Sequence, residues 1–113
     1  MHELSVTESV LQIALTHAEQ AEARRILRID LAVGALSGIV GESVQFYFDF
    51  VSKGTLAEGA QLVFHHLPAR FRCQSCRAEY EPEGLDWTCP LCQALQPQAI
   101  GGQEFRVESI EVE

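Results

Sequence analysis

Cys73-Gln74-Ser75-Cys76 and Cys89-Pro90-Leu91-Cys92 are two Cys-x-x-Cys pairs separated by twelve residues, and they hold all four cysteines of the chain. No other feature restricts the fold as tightly. Each pair can bend into a knuckle that aims both sulfurs at one ion, and two knuckles supply a closed tetrahedral shell of four thiolates. The segment around them, residues 70–97, also carries the single tryptophan, Trp87, together with Pro82, Pro90 and Pro97. A stretch of under ~30 residues cannot bury enough surface to fold without a metal or disulfide. Phe71, Tyr80 and Trp87 can form only a small cluster there, so metal binding becomes the folding energy of the module. Four thiolates leave no open coordination position, which points to structural rather than catalytic zinc. Because Cys89-Pro90-Leu91-Cys92 resembles a rubredoxin knuckle, the rival is an iron centre or a redox dithiol. Visible absorption separates iron from zinc.

The rest of the chain has room for one ordinary domain: it has 113 residues and is 47% hydrophobic. No apolar run approaches the ~20 residues that span a bilayer, and no basic region followed by an apolar stretch opens the chain. A cytoplasmic protein without membrane association is expected, and in that reducing compartment structural disulfides are disfavoured. The formal charge of −8 repels phosphate backbones. The only basic clusters, Arg24, Arg25 and Arg28 and then Arg70, Arg72 and Arg77, have acids nearby, so nucleic acid is not an expected partner.

Ser5-Val6-Thr7-Glu8 reads as a capping box that starts a helix. Val6, Val10, Leu11, Ala14, Ala18 and Ala21 then form one apolar stripe, leaving His17 and Glu19 solvated. From Arg25 to Val33 the period changes to two, with Leu27, Ile29, Leu31 and Val33 on one side and Arg28 and Asp30 on the other, as in a half-buried strand. Glycines 34, 38 and 41 mark a turn-rich connection to a helix over 42–53, whose Val44, Tyr47, Phe48 and Val51 face the core and which Gly54 caps. Residues 61–67 and 103–112 read as further strands, the last with a bulge where Phe105 and Val107 give way to Ile110 and Val112. His65 and His66 are adjacent on a strand and point to opposite faces, so they do not serve one ion together. No Ser-His-Asp order, P-loop, catalytic carboxylate pair or phosphate cradle is evident, and no enzyme is expected.

This pattern predicts an α/β (α+β) fold, with two helices on one face of a small, mainly antiparallel sheet. Residues 1–69 and 98–113 form its discontinuous body, and residues 70–97 are a four-cysteine zinc-ribbon insertion. The exposed edges of so small a sheet allow homodimerisation or strand exchange.

Met1-His2-Glu3 adds a second metal signal. The terminal amine, the His2 backbone nitrogen and the His2 imidazole can close adjacent five- and six-membered rings on one ion. Planar nitrogen coordination suits Ni(II) or Cu(II). A bulky second residue opposes removal of Met1, so the amine is expected to persist.

The start Met1-His2-Glu3-Leu4-Ser5, the Gly34-Ala35-Leu36-Ser37 segment, the two cysteine motifs and the ending Val107-Glu108-Ser109-Ile110-Glu111-Val112 together resemble the HypA/HybF family of hydrogenase maturation factors. The resemblance covers essentially the whole chain. It implies that His2 binds nickel with help from main-chain nitrogens of Met1, His2 and Glu3, and that Cys73, Cys76, Cys89 and Cys92 bind zinc. It also implies Ni(II) as transient cargo for the precursor of the [NiFe]-hydrogenase large subunit, a HypB-type GTPase as co-worker and, for some members, service to urease maturation. The alternative is a zinc-ribbon interaction module in which Met1-His2-Glu3 is incidental.

Overall fold

A computed structural model describes residues 3–113. The element order is α1 (Glu3–Gln20), β1 (Ile26–Gly34), α2 (Gly41–Val51), β2 (Gln61–Leu67), β3 (Arg70–Cys73), β4 (Glu79–Tyr80), β5 (Pro97–Gly101) and β6 (Phe105–Val112). The strands form two three-stranded sheets, ordered β2-β1-β6 and β4-β3-β5. Two helices beside small sheets is the α+β architecture expected. The chain divides into two compact units: one holds Gly38–His65, Phe105–Glu113 and the residues up to Ala32, the other Val33–Ser37 and His66–Glu104. The second unit takes in the whole cysteine segment.

In the first unit α1 packs against α2 and β6. Its buried stripe is Thr7, Val10, Ala14 and Ala18, spaced at three and four residues as one helical face requires. The helix starts at Glu3 rather than after Ser5, so the capping box is not used and Ser5 lies inside the first turns. Glu3 places a carboxylate at the positive end of the helix. Thr7 Oγ1 donates to the Glu3 carbonyl at 2.6 Å and Ser9 Oγ to the Ser5 carbonyl at 3.1 Å. Those hydroxyls are satisfied by back-bonding within the helix. At the other end Ala21 is exposed and lies beyond the helix.

β1 departs from the alternating pattern. Ile29 to Gly34 is buried without a break, β1 being the central strand with β2 and β6 along its two edges. β6 runs antiparallel to β1: Arg24 N–H donates to the Glu113 carbonyl (2.7 Å) at one end and Gly34 N–H to the Glu104 carbonyl (2.7 Å) at the other. Along β6 the half-buried positions shift phase between Glu108 and Ser109, where the sequence pattern shifts. The C-terminal cap of α2 is Ser52, and Gly54 follows with φ +79.

Asp30 is buried on this central strand, and a buried carboxylate must be satisfied. His65 Nε2 lies 2.9 Å from Asp30 Oδ1, while Arg28 Nε and Ser109 Oγ each donate to Oδ2 at 3.2 Å. The His65 bond first, then Arg28 and Ser109, hold the Asp30 carboxyl below the usual carboxylate range against the opposing effect of burial. His66, its neighbour, is exposed.

In the second unit the chain returns on itself at Gly102. Its φ is +96, and a Cβ there would lie 2.7 Å from Ala69 Cα, so both backbone conformation and close approach require glycine.

A group whose folded pKa is depressed contributes stability above its unfolded pKa and loses it as pH falls through the folded value. Asp30→Asn is therefore expected to lower stability at neutral pH and to flatten the acid limb of a denaturation-versus-pH profile. Parallel acid limbs in the variant and the parent would contradict this role.

Candidate metal centre

Phe71, Cys73, Tyr80 and Cys89 form the buried centre of the second unit, with Leu36, Ala78, Ala94 and Ala99 packed around it. β3 brings Cys73 into this centre at its last residue. The antiparallel pairing of β3 with β4 sets Phe71 opposite Tyr80, their rings 5.9 Å apart, and the Phe71 ring lies 4.9 Å from Trp87. Tyr80 Oη donates to the Trp87 carbonyl at 2.6 Å, tying the loop before the second knuckle to β4. The small aromatic cluster expected from the sequence is thus present.

The two knuckles repeat one backbone arrangement. In the first, Arg77 N–H donates to the Cys73 carbonyl (2.8 Å) and Cys73 N–H to that of Ala78 (2.8 Å). In the second, Gln93 N–H donates to the Cys89 carbonyl (2.9 Å) and Cys89 N–H to that of Ala94 (2.9 Å). Arg77 and Gln93 occupy the same left-handed position, with φ 66 and φ 61. Side chains pay a steric penalty there, so the turns are held by what surrounds them. The repeated pattern Cys-x-x-Cys-x-Ala at 73–78 and 89–94 is a signal of this duplication that sequence reasoning missed.

The knuckles bring all four sulfurs together. Cys73 Sγ is 3.5 Å from Cys92 Sγ and Cys76 Sγ is 3.6 Å from Cys89 Sγ, and all four lie within 4.8 Å of one another. A tetrahedral ion with sulfurs at ~2.3 Å requires edges of about 3.8 Å, so the cluster has the size a zinc or comparable thiophilic ion needs. Cys73 and Cys89 are buried, whereas Cys76 and Cys92 reach the surface. Among the described residues this is the only set of three or more His, Cys, Asp or Glu side chains arranged to share an ion.

The electrostatics also favour a cation. N–H donation from Cys76 lowers Cys73, and donation from Cys92 lowers Cys89 to about 7. At Cys76 the Ala78 N–H works in the same direction, but desolvation and the Cys89, Cys92 and Cys73 sulfurs outweigh it and push the thiol up to about 12. The first protons leave readily and the last one resists, because thiolates accumulate in one small volume. A divalent ion removes that resistance.

Of the other expected donors, Glu3 is the first residue of α1 and half-buried. Met1 and His2 lie outside the described residues. His17 is exposed on α1, and His65 is engaged with Asp30.

Metal binding here must displace thiol protons, and the Cys76 thiol is held highest, so zinc affinity is expected to fall steadily from mildly alkaline to mildly acidic pH, with more than one proton taken up per ion released. Competition with a chromophoric chelator measures this, and Trp87 fluorescence should change as the ion leaves. Equal affinity at mildly alkaline and mildly acidic pH would contradict the thiolate shell.

The family model described as HypA, hydrogenase/urease nickel incorporation metallochaperone, matches residues 1–112. The chain is 44% identical over 113 residues to the hydrogenase maturation factor HypA of Dehalococcoides mccartyi, spanning 100% of this chain and 95% of that protein. It is 41% identical over 115 residues to the factor of the same name from Caldanaerobacter subterraneus subsp. tengcongensis, spanning 100% of each. The solution structure of the Ni metallochaperone HypA from Helicobacter pylori superposes with a TM-score of 0.72 at 25% identity, covering 99% of this chain and 97% of that one.

Proposed function

The chain belongs to the HypA family of hydrogenase/urease nickel-incorporation metallochaperones, and from that membership we propose that it carries one Ni(II) ion at Met1-His2-Glu3 and passes it to the precursor of the [NiFe]-hydrogenase large subunit. Cys73, Cys76, Cys89 and Cys92 hold a structural zinc ion in this reading. The observation that carries it is the closed sulfur shell: the four thiols point at one another within 4.8 Å and offer no vacant position for cargo. Nickel then falls to the nitrogen donors of the N-terminus.

The start of α1 supports that division. The first four N–H groups of any α-helix lack an intrahelical acceptor, and Glu3 is the first residue of α1. Metal binding at the Glu3 amide nitrogen therefore breaks no hydrogen bond of the helix. The Met1 amine and the His2 imidazole complete a set of donors drawn from consecutive residues. Terminal donors can be surrendered one at a time to a competing site, which suits a carrier better than a store. Zinc, when bound, supplies charge neutralisation that lets the four thiolates coexist and folds the module around them.

In this reading the protein has no turnover of its own and works in the cytoplasm. Its partners are a HypB-type GTPase, the hydrogenase precursor and, where present, urease maturation factors. Among the described residues no helix is long and apolar enough to cross a membrane.

Nickel titration followed by elemental analysis, on protein with a native N-terminus, tests the assignment. The parent should hold one exchangeable nickel beside one zinc, and His2→Ala should lose the nickel and keep the zinc. A peptide extension before Met1 should act like His2→Ala, since it removes the free amine. Unchanged nickel stoichiometry in His2→Ala would contradict the site.

A further inference from the structure

The outer side of the first cysteine knuckle carries a group of side chains that the zinc shell does not use. Arg72, Cys73, Gln74, Arg77 and Gln98 line an open cavity of about 380 Å³ in the second unit. Apart from the cysteine, its walls are two guanidinium groups and two primary amides, in a chain of net charge −8. Sheet geometry places half of them. Phe71 and Cys73 turn inward from β3, so Arg72 between them turns outward, and the antiparallel pairing of β3 with β5 sets Arg72 opposite Gln98. The knuckle places the others: Gln74 N–H donates to the Gln96 carbonyl at 2.9 Å, and Arg77 N–H to that of Cys73 at 2.8 Å.

Arg77 has no role in the fold that its side chain explains. Arg25, Arg28, Arg70, Arg72 and Arg106 each lie within 3.5 Å of a carboxylate oxygen. The exposed Arg77 guanidinium meets no carboxylate and no other acceptor among the described residues. Nor does the turn select arginine, because Gln93 holds the corresponding left-handed position of the second knuckle, with φ 61 against φ 66. Arg72 gives one N–H to Glu79 Oε2 at 3.2 Å and keeps its other donors.

We propose that this cavity is a carboxylate-binding site, with the Arg77 fork as its main donor and Arg72, Gln74 and Gln98 completing it. A planar guanidinium meets a carboxylate through two parallel hydrogen bonds, and neutral amides add donors beside it. Charge favours a carboxylate over a phosphate. Four thiolates around one divalent ion carry a net −2, and Cys73, one of those ligands, is also a wall of the cavity. A single negative charge meets about half the repulsion there that a double one meets. Glu79, held on Arg72, acts in the same direction. The walls are exposed, so a lone carboxylate is held weakly, at ~millimolar concentration. A small organic acid and an acidic protein segment present the same group. No nickel donor takes part, so the site stands apart from the nickel assignment.

Amide NMR titration of the zinc-loaded full chain at constant ionic strength tests it, with sodium acetate, a capped tetraglutamate peptide and inorganic phosphate as probes. Acetate and the peptide should give saturable shifts at residues 72, 74, 77 and 98, and phosphate should bind more weakly than either. A peptide that binds tighter per carboxylate than acetate assigns the group to a protein segment, and equal binding assigns it to a small acid; both outcomes support the site. Arg77→Gln, which copies the residue of the second knuckle, should weaken carboxylate binding at least fivefold with zinc content unchanged. Arg77→Lys keeps the charge but not the fork, so it should bind more weakly than the parent. Shifts that never saturate at the cavity, or phosphate binding tighter than acetate, overturn the proposal. Parent-like binding by either Arg77 variant overturns it equally, since the Arg77 fork would then not be the recognising group.

Discussion

Four thiols gathered within 4.8 Å of one another impose the condition on which the second unit depends. They cannot all ionise without a cation, and as neutral thiols they make only weak contacts with one another. The buried side chains around them amount to Phe71 and Tyr80, with smaller residues at the edges. That is too little apolar surface to order two loops by itself. A bound divalent ion changes the balance by joining residues 73 and 76 to residues 89 and 92. The knuckle hydrogen bonds, the left-handed Arg77 and Gln93, and the Tyr80-to-Trp87 bond are then details of how the chain reaches the ion.

The first unit is built on the opposite principle. Its core of Val10, Ala14, Ile26, Ile29, Leu31, Val44 and Phe48 is apolar and needs no ion. Among the described residues the one charged intrusion, Asp30, is met by His65, Arg28 and Ser109, so it adds specificity between strands without leaving an unpaired group. One unit thus has an apolar core of its own, and the other gathers its thiols for an ion. Glu3, the one described residue of the proposed cargo site, opens a helix of the first unit, and the four thiols all lie in the second.

Much of this was legible from the residues. The spacing of Cys73, Cys76, Cys89 and Cys92 identified the cluster because short Cys-x-x-Cys turns leave few other geometries. Helical periodicity located α1 and α2 because buried positions such as Val10, Ala14, Val44 and Phe48 recur at the spacing of a helical face. The start of α1 was misread, since Ser5 and Glu8 satisfy the capping-box pattern while Glu3, two residues earlier, suits the positive end of the helix. β1 looked half-buried because Arg28 and Asp30 alternate with apolar residues. Its central place depends on strand order, which the local pattern does not encode, and Asp30 is tolerated because His65 and Ser109 from other strands join Arg28 around it. The return of residues 33–37 into the second unit was hidden for the same reason: it rests on long-range bonds such as Ala35 N–H to the Leu67 carbonyl at 2.9 Å.

The central claim is a partition of donors, sulfur for one ion and nitrogen for the other. X-ray absorption at the zinc and nickel edges of the doubly loaded protein tests it most directly. The account requires zinc surrounded by four sulfurs at ~2.3 Å and nickel surrounded by nitrogen and oxygen alone. Sulfur in the nickel shell, or nitrogen replacing sulfur around zinc, would contradict it.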